Sequence, residues 1–271
     1  MSEVLVVTSG KGGVGKTTST AALGAALALE GQSVVVVDFD VGLRNLDLVM
    51  GAERRVVFDL VNVIQGVAKL PQALIRDKRL ENLWLLPASQ TRDKDALTED
   101  GVGRVIADLR QRFDWVICDS PAGIERGAIL AMRYADRAVI VTNPEVSSVR
   151  DSDRIIGMLD SKTRKAENGD RIDKHLLITR YDAARAARGE MLSIEDVLEI
   201  LSTPLLCIVP ESDEILRASN VGTPVTLANA ASVPARAYID AAKRLRGENV
   251  AMLTPERKVG LFDRLFGRRA A

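Results

Sequence analysis

Short, continuously apolar runs recur along the chain, separated by longer segments of helical character. The runs predict strands over Glu3–Thr8, Ser33–Asp38, Asn82–Ala88, Asp114–Asp119, Arg137–Thr142, Lys174–Arg180 and Leu205–Pro210. Between them the pattern predicts helices over Lys16–Glu30, Glu99–Arg112, Glu125–Tyr134, Ser147–Arg164, Ser193–Leu201 and Pro234–Leu245. Runs such as VVVVD and HLLITR do not alternate, which is how strands covered by helices on both faces read. The alternation of strand and helix predicts an α/β fold, a doubly wound and mostly parallel sheet in one domain over 1–246.

The character changes after that domain. Residues 247–254 read as a linker, and 255–271 as a separate amphipathic helix. Val259, Leu261, Phe262, Leu265 and Phe266 share one helical face, while Lys258 and Arg264 lie among the basic residues elsewhere on it. A short basic helix with two phenylalanines suits the interface of an anionic membrane. One such helix binds weakly, and two presented together gain typically 10²–10⁴-fold in avidity.

Composition narrows the classes. Of 271 residues, 46% are hydrophobic, and 37 basic residues balance 37 acidic ones, which argues against disorder and against a globally basic nucleic-acid binder. Two cysteines and one histidine are too few for a disulfide framework, a zinc site of ordinary spacing or a Ser-His-Asp triad. The N-terminal residues lack the basic region of a signal peptide, and no apolar stretch reaches the length of a membrane span. The expectation is a cytoplasmic protein with at most peripheral membrane contact. Cys118, Cys207, Trp84 and Trp115 sit in predicted strands and read as core residues.

The strongest chemical signal is Gly10-Lys11-Gly12-Gly13-Val14-Gly15-Lys16-Thr17-Thr18. It matches G-x-x-x-x-G-K-[ST], follows a strand and opens a helix, which is the context that a phosphate-binding P-loop requires. Glycines let backbone N–H groups turn inward around phosphate oxygens, and the helix N-terminus adds its dipole. Lys16 is placed for the β- and γ-phosphates and the Thr17 hydroxyl for Mg²⁺. Asp38 and Asp119 end strands near this loop, where carboxylates can hold Mg²⁺ through its waters.

Lys11, a second lysine inside the loop, gives KGGVGKTT, which resembles the signature of the deviant Walker A ATPases. With VDFDVGLRNLDLVM, CDSPAGIE, NPEVSSVRDSDR and the tail, nearly the whole chain is similar to the MinD/ParA class, specifically to its members that place the division septum. The resemblance implies ATP and Mg²⁺ as ligands, with Lys11 reaching the phosphates of a second copy in an ATP-dependent homodimer. It implies that Asp119 is the Walker B residue, that Asp40 orients the attacking water, and that Asp119–Gly123 acts as switch II. It further implies MinC and MinE as partners, docking near Arg150, Asp151 and Asp153, and residence on the inner membrane.

Thr179-Arg180-Tyr181-Asp182 stands where a guanine-reading NKxD would fall, which favours adenine, with base contacts from Arg180, Pro210 and Glu211. Rival readings are a ParA-like DNA-partitioning ATPase, an FlhG-like flagellar-placement ATPase, and a reductase with an iron–sulfur cluster shared between two copies. Near-zero net charge and the phenylalanine-bearing tail weigh against specific nucleic-acid binding. An iron–sulfur carrier needs accessible cysteines.

Overall fold

A computed structural model describes residues 2–90 and 96–253 of the chain. The predicted membrane helix, with Lys258, Val259, Leu261, Phe262, Arg264, Leu265 and Phe266, lies outside these residues.

The strands are β1 (Glu3–Thr8), β2 (Val34–Asp38), β3 (Ile75–Arg76), β4 (Leu83–Leu86), β5 (Trp115–Asp119), β6 (Arg137–Thr142), β7 (Asp173–Tyr181) and β8 (Leu205–Pro210). They form one sheet in the order β3-β4-β2-β5-β1-β6-β7-β8. Every pairing is parallel except that of β3 with β4. All seven strands expected from sequence are present. The two-residue edge strand β3 was not expected, because it is too short to carry an apolar run.

The helices are α1 (Lys16–Leu29), α2 (Leu46–Val49), α3 (Leu60–Ile64), α4 (Leu70–Ala73), α5 (Glu99–Arg110), α6 (Arg126–Met132) and α7 (Val146–Lys162). They continue as α8 (Arg164–Glu167), α9 (Ala183–Ala187), α10 (Ile194–Leu201), α11 (Asp213–Asn220), α12 (Val225–Ala228) and α13 (Val233–Leu245). The six expected helices correspond to α1, α5, α6, α7, α10 and α13; the others are mostly single turns whose positions depend on tertiary contacts.

Period-two alternation divides the core. Val4, Val6, Val35, Val37 and Val116 face a layer built by α3, α5, α6, α7 and α10. Leu5, Val7, Val34, Val36 and Ile117 face the opposite layer of α1 and α13. Burying each such side chain contributes roughly 1.5–3 kcal/mol, so both apolar faces hold the sheet between the layers. The alanine-rich α1 packs closely on the sheet: a Cβ on Gly24 would lie 2.7 Å from Val36 Cγ1. Its Ser19 hydroxyl pairs with the buried Tyr238 hydroxyl of α13 at 2.9 Å.

Trp115 is in the core as expected, whereas Trp84 is only half-buried and meets Phe113 edge-on at 6.3 Å between ring centroids. Cys118 and Cys207 are buried in opposite layers, and burial pushes both thiols up to about 12. Neither can present a thiolate to a cluster shared with a second copy, so the reductase reading loses its ligands. Both thiols should therefore be unreactive towards a chromogenic disulfide in the native protein and titrate fully in denaturant. Rapid native labelling of either would contradict this packing.

Candidate active site

Parallel strands bring their C-terminal ends to one edge of the sheet, and the chemistry collects there. After β1, the loop Ser9–Gly15 turns through left-handed glycines, Gly13 at φ 78° and Gly15 at φ 94°. Gly15 caps α1 without a side chain, so the helix opens with unsatisfied N–H groups at the loop. Thr179 pins the loop by donating to the Val14 carbonyl at 2.7 Å. At its base, Gly10 lies so close to α7 that a Cβ would overlap the Asp151 carbonyl.

A cavity of about 550 Å³ opens over the loop, walled by Gly12, Gly13, Gly15, Lys16, Thr17, Thr18, Asp40, Ala122 and Arg180. A second cavity of about 360 Å³ shares Gly15, Thr18 and Arg180 and continues over Pro210, Glu211 and Leu216. Together they form a polar cradle leading into a less polar slot, the shape a nucleoside phosphate needs. Arg180 belongs to both, and it is held at φ 53° where the β7–β8 register shifts. Left-handed backbone at a non-glycine residue costs on the order of 1–3 kcal/mol and marks a position fixed by its surroundings. A larger space of about 650 Å³ lies between α5 and α8, but no glycine-rich loop lines it.

Asp38 and Asp119 are register partners on adjacent strands, and both are buried. Burial, and then the charge of Asp119, pushes the Asp38 carboxyl well above the usual range. Burial raises Asp119 also, against the pull of Lys16 and the Thr17 and Thr20 hydroxyls. Asp38 accepts from the Asp40 N–H at 2.8 Å and the Leu46 N–H at 3.2 Å, and Asp119 accepts from the Thr20 hydroxyl at 3.0 Å. Two buried carboxyls behind a cavity-lining hydroxyl fit a divalent cation that keeps several waters. Among the described residues, no group of three His, Cys, Asp or Glu side chains forms a ready-made chelate.

The segment after Asp119 runs beside the loop: Ser120 N–H donates to Val7 and Gly123 N–H to the Ser9 carbonyl, each at 3.1 Å. Lys11 stands apart from the cavity. Its ammonium donates to Glu145 Oε2 at 2.8 Å and to Ser147 Oγ at 3.1 Å, and this bond holds the Glu145 carboxyl below its usual range. Within a single chain, the lysine expected to reach another copy is thus held at the start of its own α7. On that helix Arg150 and Asp153 are exposed, and Asp151 pairs with Arg154 at 3.8 Å.

Sequence reasoning did not find Ser219 and Asn220 at the cavity wall. The one local sign was Ser212, which caps the unexpected α11 by accepting from the Glu214 N–H.

Residues 5–225 match the CobQ/CobB/MinD/ParA nucleotide binding domain. The septum site-determining protein MinD of Escherichia coli K12 is 60% identical over 270 residues, covering 98% of this chain and 100% of that protein. The structure is similar to Aquifex aeolicus MinD in a MinC:MinD complex, with TM-score 0.84, 40% identity, and coverage of 93% of this chain and 99% of that one. It is also similar to Pyrococcus horikoshii MinD complexed with Mg-ADP, with TM-score 0.80, 32% identity, and coverage of 90% and 96%.

The buried acid pair has a stability consequence. A carboxyl whose pKa is raised on folding costs stability above its unfolded value, and the cost disappears as pH falls below that value. In nucleotide-free, metal-free protein, Asp119→Asn should therefore melt above the parent at pH 8. The difference should shrink towards pH 5, as read by differential scanning fluorimetry, and a lower Tm for the variant at pH 8 would contradict the burial argument.

Proposed function

Since the chain belongs to the CobQ/CobB/MinD/ParA nucleotide-binding family, and within it to the septum site-determining MinD proteins, we propose that it places the division septum as an ATP-driven, membrane-binding switch. The family makes it a P-loop NTPase of cell division. The observation that carries the finer reading is the convergence of Lys16, Thr17, Asp40 and the uncapped start of α1 on one cavity.

The loop N–H groups and Lys16 would bind the β- and γ-phosphate oxygens of ATP, and Asp40 would orient the attacking water. Thr17, backed by Asp38 and Asp119, would hold Mg²⁺, which when bound neutralises charge on the phosphate oxygens. Arg180, Pro210 and Glu211 border the slot for the base. Asp182 does not serve a guanine here, because its carboxylate caps α9 by accepting from Ala184 and Arg185 N–H groups at 2.8 and 3.0 Å. That favours adenine.

Dimerisation on ATP would transfer Lys11 from Glu145 to the phosphates of a second copy. The Lys11–Glu145 pair is 39% and 54% exposed, so little stability opposes the exchange. Two chains would then present two basic tails to the cytoplasmic face of the inner membrane, where avidity retains them until hydrolysis. The solved MinC:MinD complex of the Aquifex relative supports MinC as a partner, for which Arg150, Asp151 and Asp153 on α7 would be the docking residues, and MinE would stimulate hydrolysis and release.

Lys16→Ala should lower ATP turnover by about 100-fold or more, because it removes a cation from the transferring phosphoryl group; unchanged turnover would remove the loop from the chemistry. In light scattering, Lys11→Ala should remain monomeric with ATP, and an intact dimer would reject the exchange. Sedimentation with anionic liposomes should show ATP-dependent binding that is lost when the chain is truncated after Thr254. Equal binding with ADP would break the link between tail and nucleotide.

A further inference from the structure

The short helix α2 forms one wall of the nucleotide cavity through Leu48 and Val49, and the end of α11 forms another through Ser219 and Asn220. Four residues of helix are too few to hold their own position, so α2 depends on what grips its two ends. At the first end, the Leu46 N–H donates to Asp38 Oδ2 at 3.2 Å. At the other, Arg79, in the turn between β3 and β4, donates through Nη2 to the Met50 carbonyl at 2.9 Å.

The same guanidinium also reaches the second wall. Its Nη1 donates to the Gly222 carbonyl at 3.0 Å and to Thr223 Oγ1 at 2.8 Å, in the turn that follows α11. Asp77 aims the fork: its oxygens accept from Arg79 Nη2 at 2.8 Å and Nε at 3.2 Å. The Asp77 side chain is 1% exposed, and although burial favours the neutral acid, its bonds to Arg79 hold the carboxyl below its usual range.

Beneath the fork the two turns touch through glycines. Gly51 at φ 63° and Gly222 at φ 64° approach so closely that a Cβ on Gly51 would lie 2.6 Å from the Gly222 oxygen. This contact has no side chain to interlock, so the guanidinium supplies the polar attachment between the turns. A lysine could not replace it, because a single ammonium lacks the planar fork that reaches three separate backbone and side-chain acceptors while paired with a carboxylate.

We propose that Arg79 is a positioning residue for the nucleotide: it staples the α2 wall to the α11 wall and so sets how firmly the cleft between them closes, without lining the cavity itself. The proposal rests on the nucleotide-binding reading above. Through Met50, α2 and Leu46, the staple is also continuous with Asp38, so the sheet edge and the phosphate end of the site are held in one frame.

The test is titration of the full-length protein with fluorescent ATP and ADP analogues in Mg²⁺, with dissociation followed by stopped flow. Arg79→Ala should weaken affinity on the order of tenfold, mainly through faster release, and Arg79→Lys should not restore it. Asp77→Asn and Thr223→Val should shift affinity in the same direction by smaller factors. Arg55→Ala is the structural control: Arg55 bonds the Arg76 carbonyl on the same sheet edge at 2.6 Å, and its loss should leave nucleotide affinity at the parent value. Folded Arg79→Ala and Asp77→Asn proteins with affinity within about twofold of the parent would overturn the staple alone. If Arg79→Ala does not fold, Asp77→Asn and Thr223→Val decide the matter by the same criterion. A parent protein that binds neither analogue would overturn the nucleotide reading, and the staple with it.

Discussion

Two carboxyl groups that water cannot reach govern this architecture. Parallel pairing sets Asp38 and Asp119 side by side at the ends of β2 and β5, inside the molecule. Buried carboxylates are costly unless donors and cations surround them, and the neighbouring structure is organised as that surrounding. The N–H groups of Asp40 and Leu46 turn the chain back over Asp38, which starts α2. The hydroxyl of Thr20, one turn into α1, reaches Asp119, and Lys16 lies close enough to offset its charge. Loop, helix and switch segments are thus arranged by one electrostatic need, and a bound cation would complete the compensation.

The sheet makes that need tolerable. With an apolar layer on each face, β1, β2 and β5 stay buried up to their last residues. Glycine does complementary work where backbone must pass close to backbone. Gly10 brings the phosphate loop against the carbonyl of Asp151, on the same helix that exposes Arg150 and Asp153. A protein docking on that helix would therefore press on a surface directly backed by the loop.

Much of this could be read from the sequence, and the reasons differ by residue. Seven strands and six helices were legible because two-sided burial leaves unbroken apolar runs and long helices repeat their pattern. The loop from Gly10 to Thr18 was legible because its chemistry is local, each residue acting within one turn of the next. Asp38 and Asp119 were legible as strand-end carboxylates, but their register partnership is a property of the sheet. The single-turn helices α2 and α12 are stabilised by distant tethers and have no periodicity to detect. Arg79 looked like any surface arginine, since its acceptors at Met50, Gly222 and Thr223 are far from it in sequence. The left-handed Arg180 was found through its place at the end of β7, where the register of β7 against β8 shifts.

The exit of the chain has its own consequence. Helix α13 runs back along the sheet, so Leu245 ends beside the first residue of β6, where Arg137 bonds its carbonyl at 2.6 Å. Arg244 then ties down the carbonyls of Val250 and Ala251 at 3.0 and 2.6 Å. The residues that follow start from the edge of the sheet opposite the strand ends where the site is built. A rigid domain lies between the two, and the exit is fastened to it. Among the described residues, the path from one pole to the other runs through packed strands and helices. On the proposed reading, what nucleotide chemistry would alter is how many chains travel together, so a message to the far pole would be conveyed by stoichiometry, as a count of tails.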